Sequence, residues 1–174
     1  MLAGGRSRRM GAPKALVPLG GAPLIARPLA AARTAGLDAV VVAKPDSPLP
    51  PLGVPVWREP AEPVHPLCGL VFALERAGGP VVAVACDQPF VTAELLAALA
   101  AAGGVVICEA GGLQPFPGRY EPSALEALRA GLAACDPLRA TVAALAPRRV
   151  EVDARVVASV NDPEALAEAE RRIA

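Results

Sequence analysis

Net charge is absent from this chain: 17 lysines and arginines balance 17 aspartates and glutamates in 174 residues. That removes any whole-surface attraction to nucleic acid or to an acidic membrane, and leaves local concentrations of charge as the only anion sites. Histidine occurs once, at position 65, and the cysteines at 68, 86, 108 and 135 form no Cys-x-x-Cys pair. Neither a metal cluster nor a disulfide framework is therefore expected, and the thiols read as reduced and mostly buried in a cytoplasm. Long apolar runs are missing as well. Although 53% of the residues are hydrophobic, the longest run, residues 95–108, is short and broken by glycine, so no membrane span is expected. No apolar segment follows the early charges as a signal peptide would require. Repeats and low-complexity domains are also lacking, and the length suits one domain over residues 1–174.

What is present begins at once. Met1-Leu2-Ala3 runs into Gly4 and Gly5, then into Arg6, Arg8, Arg9 and, after Met10, Gly11, Ala12 and Pro13, into Lys14. A loop built on paired glycines can turn its amides toward an anion at close range, and the cations supply charge; a merely flexible basic tail is the alternative. The spacing is neither Gly-x-x-x-x-Gly-Lys-Ser/Thr nor Gly-x-Gly-x-x-Gly. A loop of this kind follows the first strand of an α/β sheet, yet only three residues precede Gly4. The expectation is a truncated first strand, with the native start upstream of Met1.

Downstream, strand and helix patterns alternate. Helices are expected over about 23–36, 67–77, 92–102, 124–134 and 138–145, with a terminal helix begun by Asp162, Pro163 and Glu164; Ser123 and Glu126 read as a capping box. Apolar strands are expected at 37–43, 54–57, 80–86 and 105–108, with a half-exposed one at 148–153. Residues 45–55 are proline-rich and read as an irregular surface loop without chemistry. This alternation predicts a parallel sheet with helices on both faces.

The second informative stretch is Val81-Val-Ala-Val-Ala-Cys-Asp87, in which an apolar strand ends in a carboxylate. The C-terminal edge of a parallel strand is where α/β proteins bind ligands, and an acid there suits Mg²⁺; alternatively Asp87 caps the turn before the next helix.

Leu2, Ala3, Gly4, Gly5, Arg9, Met10, Gly11 and Lys14 follow the order of a motif found in NTP-activating nucleotidyltransferases, and Cys86-Asp87-x-Pro89-Phe90 matches their metal-binding segment. The chain thus resembles the molybdenum cofactor guanylyltransferases. His65-Pro66-Leu67-Cys68-Gly69 is similar to the family's Gly-Pro-Leu-Ala-Gly turn, with His65 and Cys68 as departures. Gln114–Tyr120 and Asn161-Asp-Pro-Glu resemble later family segments, the latter also reading as an ordinary helix start. The family's acid before the Gly-Pro-Leu turn has Glu59 and Glu62 as nearest candidates, neither in a convincing position. Ala12-Pro13 stands where guanylyltransferases usually carry aspartate before the lysine, and relatives that transfer cytidylyl groups often carry proline.

The resemblance implies an α/β, Rossmann-like three-layer α/β/α fold with a mostly parallel sheet, like the nucleotide-diphospho-sugar transferases. It implies transfer of GMP from GTP to the phosphate of Mo-molybdopterin with release of pyrophosphate. Lys14, Arg9 and Asp87 would be catalytic, with Asp87 holding Mg²⁺. Leu2, Ala3, Gly4, Gly5, Arg9, Lys14, Pro66, Leu67, Gly69 and Asp87 would bind nucleotide, and Asn161 would touch the acceptor. His65 reads as a pocket-edge or surface residue rather than a base. The implied partners are small molecules, with molybdoenzyme chaperones as protein partners, acting on a cytoplasmic monomer that engages neither nucleic acid nor membrane. A cytidylyl or sugar-phosphate nucleotidyltransferase, and a binding homologue without turnover, are the alternatives.

Overall fold

The computed structural model describes residues 1–4 and 11–173. After a short 3-10 turn at Lys14–Leu16, strands β1 (Pro18–Leu19) and β2 (Ala22–Pro23) form a tight antiparallel hairpin leading into α1 (Ala26–Thr34). Then follow β3 (Val41–Ala43), β4 (Val56–Arg58), α2 (Pro66–Ala77), β5 (Val81–Ala83), α3 (Ala93–Ala101), β6 (Val106–Glu109) and β7 (Leu113–Tyr120). The chain closes with α4 (Leu125–Ala133), α5 (Leu138–Ala144), β8 (Arg148–Glu151) and α6 (Pro163–Ile173). No helix among the described residues is long and apolar enough to cross a membrane.

Residues 1–3 join the two halves of the sheet. Leu2 bridges Val42 and Ala85, both in parallel. Its N–H donates to Val84 O at 2.8 Å and its carbonyl accepts from Cys86 N at 3.0 Å, while Ala3 N donates to Val42 O and Met1 O accepts from Val42 N, both at 2.8 Å. Successive backbone groups thus serve alternate neighbours, and these residues run as a strand between β3 and β5. The strand order is β4, β3, residues 1–3, β5, β7, β6, β8. The β3–β4 and β6–β8 pairs are parallel, and β7 alone runs against its neighbours β5 and β6. The architecture is the expected mixed α/β, Rossmann-like one with a mostly parallel sheet.

Side chains alternate between the two faces. Ala83 and Ile107 point into a core with Leu67, Leu70, Leu74, Leu128 and Val142 from α2, α4 and α5. Val84 packs with Ala32 and Leu96, and Val106 and Cys108 with Leu99, beneath α1 and α3. Both faces are covered, which explains the near-continuous apolar strands. Helix α6 closes over the hairpin through Val17, Leu19, Leu24, Val160 and Ala169.

One expectation is corrected. Ser123 and Glu126 form no capping box: Pro122–Ala124 is a 3-10 turn, and α4 starts at Leu125 with Ala124 as an N-cap that makes no side-chain bond. The longest strand, β7, falls on a segment whose Pro115, Pro117 and Gly118 argue against a strand. The prolines are accommodated because the pairing jumps: Ile107 faces Gly118, but Cys108 faces Gln114, and the residues between bulge out of the ladder. Gly118 is required there, since a Cβ would lie 2.7 Å from Pro115 O. The bulge is held by the Tyr120 hydroxyl, fully buried and donating to Pro115 O at 2.6 Å. Tyr120→Phe should cost about 1–3 kcal/mol in urea unfolding, because the carbonyl loses its donor away from water; an unchanged midpoint would remove this bond from the account.

Candidate active site

The C-terminal ends of β3 and β5, with the end of the first strand between them, open into a cavity of about 890 Å³. Its lining includes Leu2, Ala3, Gly4, Lys14, Asp87 and the turn into α2. Asp87 lies just beyond β5, and its carbonyl accepts from Val160 N at 2.8 Å. Lys14, at the 3-10 turn, reaches across 73 positions to donate from Nζ to Asp87 Oδ2 at 2.6 Å, and donates also to Asn161 Oδ1. The two ionic side chains are 17% and 16% exposed, so water still screens the pair and a polyanion can reach it.

The walls come from elements that carry their own signals. His65 is extended and caps α2, its Nδ1 accepting from Leu67 N at 3.2 Å, with Pro66 in the first turn. The imidazole is thereby a cap at the cavity edge, the position expected for it. Pro66 and Gly69 line the cavity, whereas Leu67 is fully buried in the core beside Leu70 and Leu74. Asn161 reaches the site through Lys14 rather than as part of the wall. Gly5 and Arg9 lie outside the described residues.

Two of three further groups, Lys44 and Gln88, were not foreseen from the sequence, and Glu59 was named only as a candidate acid. Lys44 follows β3 as Asp87 follows β5, and is 6% exposed; the rule that singled out Asp87 would have found it. Its Nζ donates to Pro60 O at 2.7 Å and Pro63 O at 2.9 Å and stands 3.7 Å from Glu59 Oε2. Glu59, against expectation, is on the cavity wall, 4% exposed, with Oε2 lacking a hydrogen-bond partner. It explains two glycines: a Cβ on Gly4 would collide with Glu59 Oε1, and one on Gly69 would come within 3.3 Å of Oε2. Glu62 is turned to its own loop, accepting from Val64 N. The loop expected to carry no chemistry contributes Asp46, Ser47 and Pro48 to the wall. The third group, Gln88, is buried behind Asp87.

Burial pushes the Cys86 thiol up to about 12, with the Asp87 carboxylate adding to the effect, so Cys86 stays protonated and is no nucleophile. Burial, then the Glu59 carboxylate, raises Cys68 also. No group of three histidine, cysteine or acidic side chains that could hold a metal occurs among the described residues. Oδ1 of Asp87 accepts no hydrogen bond from any described residue. A lone hard oxygen donor of this sort fits Mg²⁺, which takes one or two carboxylates and completes its shell with water and substrate phosphates.

A cation and a carboxylate meeting at the C-terminal ends of parallel strands, beside Gly4, place this cavity where α/β proteins bind ligands. The MobA-like NTP transferase domain matches residues 1–149, and the chain belongs to that family. It is 44% identical over 109 residues to a molybdenum cofactor guanylyltransferase of Rhodobacter capsulatus, a match covering 59% of this chain and 56% of that protein. The chain thus spans little more than half the length of that curated relative. Among solved structures, molybdopterin-guanine dinucleotide biosynthesis protein A from Archaeoglobus fulgidus shares the fold with a TM-score of 0.80 at 24% identity, covering 99% of this chain and 96% of that one. The 2-C-methyl-D-erythritol 4-phosphate cytidylyltransferase of Thermus thermophilus does so at 0.72 and 22%, covering 94% and 95%.

Proposed function

We propose that this chain is a guanylyltransferase that moves GMP from GTP to the terminal phosphate of Mo-molybdopterin and releases pyrophosphate. The observation that carries the reading is the meeting of Lys14 and Asp87, 2.6 Å apart, on the wall of the cavity that Gly4 also lines. The triphosphate lies against Gly4 and Lys14, and the family motif adds Gly5 and Arg9 to its contacts. Leu2, Ala3, Pro66 and Gly69 shape the wall, while Leu67 supports it from the core.

The acceptor phosphate, with a second pKa of about 6, is already ionised near neutrality and needs no protein base. Its oxygen attacks the α-phosphorus, a P–O bond forms, and the bond to the bridging oxygen breaks with its electrons leaving on pyrophosphate. Lys14 and Arg9 draw off charge as it grows on the phosphates, and the rigid strand ends align the reactants. Mg²⁺ held by Asp87 would supply further charge neutralisation at the triphosphate. Asn161 keeps the Lys14 ammonium beside Asp87, and the family resemblance puts the acceptor on its side of the pair.

The choice of guanine rests on Glu59. Its carboxylate, on the cavity wall, matches the N1–H and N2–H₂ edge of guanine, whereas cytosine presents two acceptors and a single amino group. Four unpaired cysteines suit a cytoplasmic setting, and the substrates are small molecules, with a molybdoenzyme chaperone as the receiving partner.

Pyrophosphate release measured with molybdopterin and Mg²⁺ tests the reading across GTP, CTP, ATP and UTP. GTP is expected to be preferred by about 100-fold or more over CTP, as for a site built to bond a substrate N–H. A preference for CTP would assign the chain to the cytidylyl relatives, the reading that Ala12-Pro13 favours. No turnover with any nucleotide would leave a binding homologue.

A further inference from the structure

Gln88 is 2% exposed, and its side-chain amide is fully engaged. Oε1 accepts from Ala85 N at 3.2 Å, while Nε2 donates to Phe116 O at 2.6 Å and to Val157 O at 3.2 Å. One side chain therefore joins three separate pieces of the site. Ala85 is the turn that delivers Asp87, and Ala85 itself bridges Leu2. Phe116 is the cavity-lining residue in the β7 bulge. Val157 begins the stretch whose Val160 N binds Asp87 O at 2.8 Å and whose Asn161 holds Lys14. These pieces come from distant parts of the chain, and no regular ladder connects the last of them to β5.

We infer that Gln88 is the positioning residue of the site, fixing the Asp87 turn against the β7 bulge and against the 157–161 segment so that carboxylate, ammonium and Asn161 amide meet in one place. The turn after β5 is short, so a rotation at position 88 carries Asp87 with it. A displacement of about 1 Å at such a point is worth about 100-fold in rate. An amide is required by the partners: one acceptor faces a backbone N–H and two donors face carbonyls, a set that only Asn or Gln offers. Gln88 touches none of the reacting atoms, and its effect passes through Asp87 and Asn161. The inference rests on the nucleotidyl-transfer reading for its kinetic consequence and on geometry alone for its structural one.

The test compares Gln88→Met and Gln88→Glu with wild type. Met removes all three bonds at similar length; Glu keeps the acceptor for Ala85 N but turns an oxygen toward Phe116 O and Val157 O. In both, kcat for pyrophosphate release should fall by about 100-fold, while KM for GTP changes by less than about tenfold, because the wall at Gly4, Pro66 and Gly69 is untouched and only the Lys14 contact is loosened. Amide exchange at Ala85 and Val160 should accelerate, and Mn²⁺ binding in the presence of GTP, followed by calorimetry, should weaken. Leu128→Ala, a core variant in α4 away from the cavity, is the control for lost stability and should retain kcat. A folded Gln88→Met with near wild-type kcat and unchanged exchange at Val160 would overturn the inference, as would an equal loss of kcat in Leu128→Ala. Should wild type itself show no turnover, the transfer reading fails, and the exchange and Mn²⁺ measurements still decide the role of Gln88.

Discussion

Asp87→Asn should lower pyrophosphate release from GTP and molybdopterin by about 100-fold to 1,000-fold, the range for deleting one preorganised electrostatic group, and leave the fold standing. Asparagine keeps the shape and an oxygen that can accept from Lys14, so what is lost is charge: the carboxylate that balances the ammonium and offers a hard donor to Mg²⁺. Stability should change by less than about 1 kcal/mol, because the pair is partly solvated and Lys14 retains Asn161. Steady-state turnover and a thermal melt on the same preparation separate the two effects. Lys14→Met should cause a comparable loss, and the double variant little more than either alone, since the two groups act on the same charge. Near wild-type turnover in Asp87→Asn would remove the carboxylate from the chemistry.

Asp87 was legible in the sequence because an apolar strand that ends in an acid marks a sheet edge. Lys44 obeys the same rule with the opposite sign, at the end of the apolar run 37–43, and was passed over because the proline-rich stretch it opens reads as a plain surface loop. Glu59 was a candidate without a placement because six residues separate it from α2, and only the donors of Lys44 to Pro60 and Pro63 fix which way the loop folds. Strand β7 carries no strand period of its own, because its bulge holds the prolines and glycine that ordinarily exclude a strand, and only family resemblance marked that segment. The placing of Leu67 in the nucleotide set came from motif resemblance and runs against helical periodicity, which puts Leu67, Leu70 and Leu74 on one face and leaves Pro66 and Gly69 facing the cavity. Gln88 was invisible because its partners, near positions 116 and 157, are brought to it only by tertiary packing.

Lys44→Met should destabilise the protein by about 3–5 kcal/mol, the usual consequence of removing one member of a buried ion pair. The lysine and glutamate side chains are 8% and 4% exposed, so water cannot replace the lost ammonium. Glu59 Oε2 already has no hydrogen-bond donor, which leaves the ammonium as the charge that balances it, and the carbonyls of Pro60 and Pro63 lose their donor in the same step. For a chain of this length each kcal/mol moves Tm by roughly 2–4 °C, so a drop on the order of 10 °C is expected in a thermal melt. Lys44→Met with Glu59→Gln should recover part of that loss, because the buried charge goes with its partner. Glu59→Gln alone should also shrink the Tm rise that GTP produces, since an amide presents a donor where the guanine edge needs an acceptor. A double variant as unstable as Lys44→Met would place the cost in the two orphaned carbonyls, making Lys44 a clasp on the 59–65 loop rather than the counter-charge of Glu59. An unchanged GTP shift in Glu59→Gln would take the carboxylate out of base selection and reopen the choice between GTP and CTP.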